Sequence, residues 1–249
     1  MAINPLILGG TTEATALCDL LHSEGIKGTL SYAGRVARPA RQALPVRVGG
    51  FGGAPGLAAY LRAAAITHVI DATHPFAAQM SRNAVEACAQ SNVPLVALTR
   101  PPWAEQDGDR WTHVPDIAGA VEALSGPAQR VLLAVGRMHL AQFAVQPQHH
   151  YLLRLVDAPD TPPPLPQHSI VVDRGPFTEA ADRALMEQHG THIVVSKNAG
   201  GTGAVAKIAA ARALGLPVLM IDRPSLPARE ELHAPQEVLA WLHDTDRGV

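Results

Sequence analysis

The residues of this chain that can do chemistry fall into a few short runs. Gly9-Gly10-Thr11-Thr12-Glu13 follows an apolar stretch, Leu6-Ile7-Leu8, and leads into Ala14, Leu17, Cys18 and Leu21 at helical spacing. Such a run suits a phosphate. Adjacent glycines let the backbone turn and approach an anion, the two threonines carry hydroxyls, and a helix start offers unpaired N–H groups and the positive end of its dipole. The spacing is not a strict G-x-G-x-x-G, and Glu13 stands either beside the phosphates or as a simple complement to the helix N-terminus. A second run, Asp71-Ala72-Thr73-His74-Pro75-Phe76-Ala77, delivers an acid, a hydroxyl and an imidazole together, just before a helix that Pro75 can start. A site role for His74 is favoured over packing or capping, because an imidazole titrates near neutrality and its companions are polar. A third, Ser196-Lys197-Asn198-Ala199-Gly200-Gly201-Thr202-Gly203, reads as another anion cradle ahead of a helix carrying Lys207. It lacks P-loop spacing, so triphosphate hydrolysis is not supported.

Where an NAD-selective unit would place an acid after its second strand, Tyr32-Ala33-Gly34-Arg35 is followed by Arg38 and Arg41. Arg35 and Arg38 can meet a 2′-phosphate bidentately, so NADP is favoured over NAD. Gly49-Gly50-Phe51-Gly52-Gly53 either lets backbone approach a nucleotide at Gly50 or is a flexible turn. Arg137, Arg154, Arg174 and Arg223 follow or close later strands and form a cationic fringe suited to a polycarboxylate.

The elements that must position these runs alternate along the chain. Apolar strands are expected near 5–8, 29–33, 45–48, 68–72, 93–98 and 111–114, then near 130–135, 151–156, 169–173, 192–196 and 217–221, with helices between and a closing helix around Val238, Leu239 and Leu242. This is an α/β pattern with mainly parallel sheets flanked by helices, whose strand C-termini carry the functional runs. The turn Ser125-Gly126-Pro127 suggests two similar lobes, 1–127 and 128–249, with a cleft between them. The 249 residues, 47% apolar, suffice for substantial cores. A net charge of −2 without a dense basic run gives no general attraction for nucleic acid. Apolar stretches are strand-sized and the N-terminus does not read as a signal peptide, so a cytoplasmic protein is expected with no membrane partner. Cys18 and Cys88 read as buried small hydrophobes, and the twelve histidines show no ligand spacing, so no metal is expected.

Taken together, Gly9-Gly10-Thr11-Thr12-Glu13, Ser31-Tyr32-Ala33-Gly34-Arg35, Asp71 to Ala77, Arg174-Gly175-Pro176-Phe177 and Ser196 to Gly201 resemble the precorrin-6A reductase family of cobalamin (vitamin B12) biosynthesis, in order along nearly the whole chain. The resemblance implies two Rossmann-like lobes, with cofactor and tetrapyrrole in the cleft between them. It also implies reduction of one double bond of precorrin-6A to give precorrin-6B, with NADPH as donor. Gly9, Gly10, Thr11, Thr12, Glu13, Arg35, Arg38, Gly50 and Thr73 would hold the cofactor, with Lys197, Gly201, Thr202 and Gly203 closing over it. Tyr32, Arg137, Arg174, Lys197 and Arg223 would meet the substrate and its carboxylates, and His74 would donate the proton or orient the nicotinamide. Transient hand-over to neighbouring pathway enzymes would accompany such a role. A cobalt-precorrin-6A substrate, a non-catalytic NADP(H) sensor and a transferase using a nucleotide-activated donor are the alternatives. Arg35 and Arg38 favour the metal-free, NADPH-dependent kind.

Overall fold

A computed structural model describes residues 3–33, 41–155, 157–159, 161–173 and 175–247. Arg35, Arg38 and Arg174 lie outside these described residues. The chain divides into two units, Met1–Pro101 with Ser225–Val249, and Pro102–Pro224.

The first unit runs β1 (Pro5–Leu8), α1 (Thr12–Ser23), β2 (Thr29–Tyr32), β3 (Val46–Val48), α2 (Gly53–Ala63), β4 (His68–Asp71), α3 (Ala78–Ser91) and β5 (Leu95–Leu98). The second holds β6 (Trp111–Val114), α4 (Ile117–Ala123), β7 (Arg130–Ala134), a 3₁₀ segment Arg137–Val145, β8 (His150–Leu155), β9 (His168–Val172), α5 (Glu179–Gln188), β10 (Ile193–Lys197), α6 (Ala206–Ala213) and β11 (Val218–Ile221). The chain then returns to the first unit with β12 (Glu230–Leu232) and α7 (Pro235–Arg247).

Both sheets are parallel, in the orders β12-β5-β4-β1-β2-β3 and β6-β11-β10-β7-β8-β9. The first is the dinucleotide-binding order, and the second repeats it counted from β7, with β6, which precedes β7 in the chain, in the last place; the order reverses beside β1 or β7 and leaves a crevice at the C-terminal ends of β1 and β4, or of β7 and β10. Central strands are apolar on both faces because helices cover both: β1 is buried throughout, with Ile7 in one core against α1 and α7 and Leu6 and Leu8 in the other against α2 and α3. Helix α1 starts where the sequence places it. Thr11, in extended backbone, caps it by accepting the Ala14 N–H at 3.2 Å, and Gly25 in the left-handed region ends it.

The sixth place in each sheet differs from the expected division at 127/128. β6 and α4 belong to the second unit, where Trp111–Val114 pairs in register with β11, while β12 and α7 belong to the first. Strand β12 was not expected at all. Partners so far apart in sequence leave no local periodic signal, and Glu230-Glu231-Leu232 has no apolar alternation to announce a strand. Its place is set by pairing with Val96–Leu98 and by Val238 and Leu242 of α7, which are buried against α1.

Candidate functional site

At the reversal point of the first sheet, Leu8 ends β1 and the chain turns through Gly9 and Gly10 into α1. A Cβ on Gly9 would lie 2.5 Å from Leu30 Cδ1, inside the core, whereas Gly10 (φ +134°) and Gly50 have open space where a side chain would stand. These two positions let a ligand approach the backbone. Gly9, Gly49, Gly50, Phe51, Ser31 and Thr73 line one pocket with Leu8, Ala33 and Met80. Arg47 shapes its rim: the guanidinium donates to the carbonyls of Gly49 and Gly50 and stacks 3.8 Å above the Phe51 ring. The glycine run after β3 is therefore a braced loop. Arg47 carries no motif in the sequence, since it stands between two valines of an edge strand.

Both the Thr11 and the Thr12 hydroxyl have partners within the protein. The Thr11 hydroxyl donates to Ala72 O at 2.9 Å while capping α1, so its one proton stitches the β1 turn to the β4 turn. The Thr12 hydroxyl donates to Glu13 at 3.2 Å. What the loop presents to an anion is thus backbone N–H groups of the α1 start. Glu13 is bonded by Arg100 at 3.2 and 3.3 Å. Burial pushes its carboxyl up, but its own backbone N–H, the Arg100 charge and the Thr12 hydroxyl outweigh burial and hold it below the usual carboxylate range. A lowered folded-state value adds stability that is complete above the unfolded carboxylate's range and is lost as pH falls through the lowered value. Thermal denaturation across acid pH should therefore show the gap between the wild type and Glu13→Gln closing as pH falls; a gap that widens would contradict this assignment.

The β4 turn is anchored more deeply. Asp71, 2% exposed, accepts the Thr73 hydroxyl at 2.7 Å and the Thr73 N–H at 3.2 Å, and its other oxygen pairs with the buried Arg229. Asp71 is a positioning acid held by a residue that arrives beside it through β12. Half-buried His74 accepts the Phe76 N–H on Nδ1 at 3.2 Å, so its neutral form carries the proton on Nε2. Helix α3 starts at Ala78 rather than Pro75, because a turn closed by Ala77 N–H to His74 O at 2.7 Å comes first. Tyr32 faces α1: its hydroxyl pairs with Thr15 and Gln42, burial raises its pKa, and the ring packs on the core. That places it under the helix as a packing residue.

In the second unit, Lys197 ends β10 and the Asn198–Gly203 loop follows, with Gly200 and Gly201 both at φ +69° and Thr202 exposed. Asn198 grips Trp103 by both backbone groups, accepting its N–H at 2.7 Å and donating to its carbonyl at 3.0 Å, and the Trp103 indole donates to Gly201 O at 2.7 Å. Lys207, 5% exposed, donates to Ala204 O at 2.7 Å and lies 5.0 Å from the Trp103 ring centroid. Arg223 donates to Asn198 O and Ala199 O at 3.0 and 3.1 Å, so it braces the loop. Exposed Arg137 donates to Asp157 O, and Arg154 pairs with Asp182 while stacking 3.7 Å over Phe177. The roles of Trp103 and Asn198 had no legible signal, for each pairs with a residue nearly a hundred positions away.

Among the described residues no group of three or more His, Cys, Asp or Glu could hold a metal ion, and no helix is long and apolar enough to cross a membrane. Cys18 and Cys88 are buried free thiols, both pushed up to about 12 chiefly by burial.

Residues 5–243 match the model of the family described as Precorrin-6x reductase CbiJ/CobK. The chain belongs to this family. Among its curated members, the precorrin-6A reductase of Rhodobacter capsulatus is 56% identical over 98% of both chains. The cobalt-precorrin-6A reductase of Priestia megaterium is 28% identical, over 89% of this chain and 91% of its own. A solved CobK precorrin-6A reductase superposes with a TM-score of 0.92 at 55% identity, covering 97% of this chain and 96% of that one. Two parallel sheets flanked by helices are thus the fold of a CbiJ/CobK reductase.

Proposed function

We propose that this chain reduces one double bond of the metal-free precorrin-6A macrocycle to give precorrin-6B, with NADPH as reductant, as a cytoplasmic enzyme of cobalamin biosynthesis. The observation that carries the reading is the β1–α1 turn. Gly10 and Gly50 have open space above them, the Thr11 side chain caps α1 through the Ala14 N–H, and the turn lies at the reversal point of a dinucleotide-type sheet. The greater likeness to a precorrin-6A reductase than to a cobalt-precorrin-6A reductase supports the metal-free ring.

Gly9, Gly10 and the backbone of Thr11, Thr12 and Glu13 would cradle the pyrophosphate, Gly50 and Thr73 would face the ribose, and Arg35 and Arg38 would read the 2′-phosphate. The nicotinamide, when bound, supplies the hydride. The saturated bond also takes up a proton, and His74, its ring oriented by the hydrogen bond that Nδ1 accepts from the Phe76 N–H, would donate it or orient the nicotinamide. In the second unit Lys197, Arg137 and Arg174 would pair with substrate acetates and propionates, while Arg223 shapes the loop beside Lys197. A transient hand-over to neighbouring pathway enzymes would accompany this role.

Anaerobic mixing with NADPH and precorrin-6A should give stoichiometric nicotinamide oxidation and a tetrapyrrole spectral change, with NADH much slower. Nucleotide binding without turnover of either precorrin-6A or its cobalt form would leave a sensor. Arg35→Ala should raise KM for NADPH by about 10- to 100-fold, the worth of a charged hydrogen bond of about 1.5–3 kcal/mol, and leave KM for NADH unchanged. Equal loss with both nucleotides would remove Arg35 from the 2′-phosphate.

A further inference from the structure

The crevice of the second sheet is built for a different ligand from that of the first. In the first unit β1 turns into the α-helix α1, whose terminal N–H groups suit a phosphate. In the second, β7 turns through Gly136 (φ +83°, with open space where a side chain would stand) into the 3₁₀ segment Arg137–Val145, whose first turn closes by His139 N–H on Gly136 O at 3.2 Å. A cavity of about 200 Å³ lies beside that glycine at the C-terminal ends of β7 and β8. Its walls are apolar, formed by Leu132 and Leu133 of β7 and by Leu153 and Leu155 of β8. Pockets that take a whole small molecule run from about 300 to 1,000 Å³. This one suits a single chain of a larger ligand.

Two cations line the apolar space. One is Lys207, and the other is Arg154, whose side chain is 13% exposed. A guanidinium carries five N–H donors in a planar fork. Among the described residues, Arg154 gives one of them to Asp182 Oδ1, stacks over the Phe177 ring and has no other hydrogen-bond partner. The second carboxylate oxygen of Asp182 is buried, also without a hydrogen-bond partner among the described residues. A buried ion pair stabilises a fold only when its remaining donors and lone pairs are satisfied, and this pair leaves both unmet. Asp182 thus offsets the charge of Arg154 by a single contact and leaves most of the fork for a second carboxylate. The acid that also lines the cavity, Asp173, is exposed, and water screens its charge.

We propose that this cavity is a subsite for one acetate or propionate side chain of the macrocycle, with its methylenes against the leucines and its carboxylate on the Arg154 fork. Lys207 adds a second positive charge to the same wall. The inference rests on the tetrapyrrole reading above and adds Arg154 and Lys207 to it as specificity residues. A pyrophosphate gains nothing from leucine walls, and β7 leads into no α-helix that would receive it.

Steady-state kinetics of the full chain carrying Arg154→Gln/Asp182→Asn test the subsite. The double change removes both charges together, so no buried carboxylate is stranded. KM for precorrin-6A should rise about 10- to 100-fold, the range for a lost hydrogen bond to a charged group, with KM for NADPH little changed and kcat falling less than KM rises. Arg154→Lys leaves Asp182 a cation and removes only the planar fork; it serves if the double variant does not fold, and should raise KM for precorrin-6A about tenfold. An unchanged KM for precorrin-6A, or an equal rise in KM for NADPH, would overturn the subsite. A wild type that turns over neither precorrin-6A nor its cobalt form would instead overturn the tetrapyrrole reading, and the subsite with it.

Discussion

His74→Gln should lower kcat for precorrin-6A reduction by about 100- to 10,000-fold, the usual worth of a positioned general acid, with KM for NADPH little changed. The expectation comes from the place of His74 on the β4 turn and from the hydrogen bond that Nδ1 accepts from Phe76, which fixes the orientation of the ring. Glutamine keeps a donor of similar reach but has no acidic proton to transfer, so it should not replace the imidazole in this step. Pre-steady-state mixing with NADPH already bound isolates this step from cofactor binding. A variant whose KM for NADPH rises while kcat holds would show instead that His74 contacts the nicotinamide ribose or amide.

Arg229→Ala should be the most damaging single change to stability, by about 3–5 kcal/mol, because it strands a buried carboxylate without its cation. Asp71 is 2% exposed, and the Arg229 side chain beside it 7%. For a chain of this size such a loss lowers the melting temperature by roughly 6–20 °C. The double variant Asp71→Asn/Arg229→Met removes both charges yet keeps an acceptor oxygen for Thr73, so it should recover most of the loss. If the double variant melts no higher than Arg229→Ala, the pair is not what stabilises this turn. Activity adds a second check, since the Asp71–Thr73 bonds hold the segment that carries His74.

Glu13 and Asp71 illustrate how far local reading reaches. Both were visible as acids beside candidate loops, and the helix that Glu13 opens was legible from the spacing of Ala14, Leu17, Cys18 and Leu21, all four of which are buried. Their partners were not legible. Arg100 and Arg229 lie 87 and 158 residues away, and nothing in the composition around them marks them off from solvated arginines. The same distance hides the clasp of Asn198 on Trp103 and turns Arg223, read as a substrate cation, into a brace for main-chain carbonyls.

The sequence carried what depends on neighbours within a turn or a strand. It set the alternation of strand and helix, because burial on both faces demands continuous apolar strands. It also set the clustering of polar runs at strand ends, where the backbone leaves the sheet with unpaired donors. Tertiary packing settles which strand fills the sixth place of each sheet, and with it which carboxylates are paired and which arginines are spent on carbonyls. Those choices are made by register and burial between segments about a hundred residues apart, and the short edge strands β6 and β12 carry too little apolar pattern to specify a partner until the neighbouring strands β11 and β5 are in place.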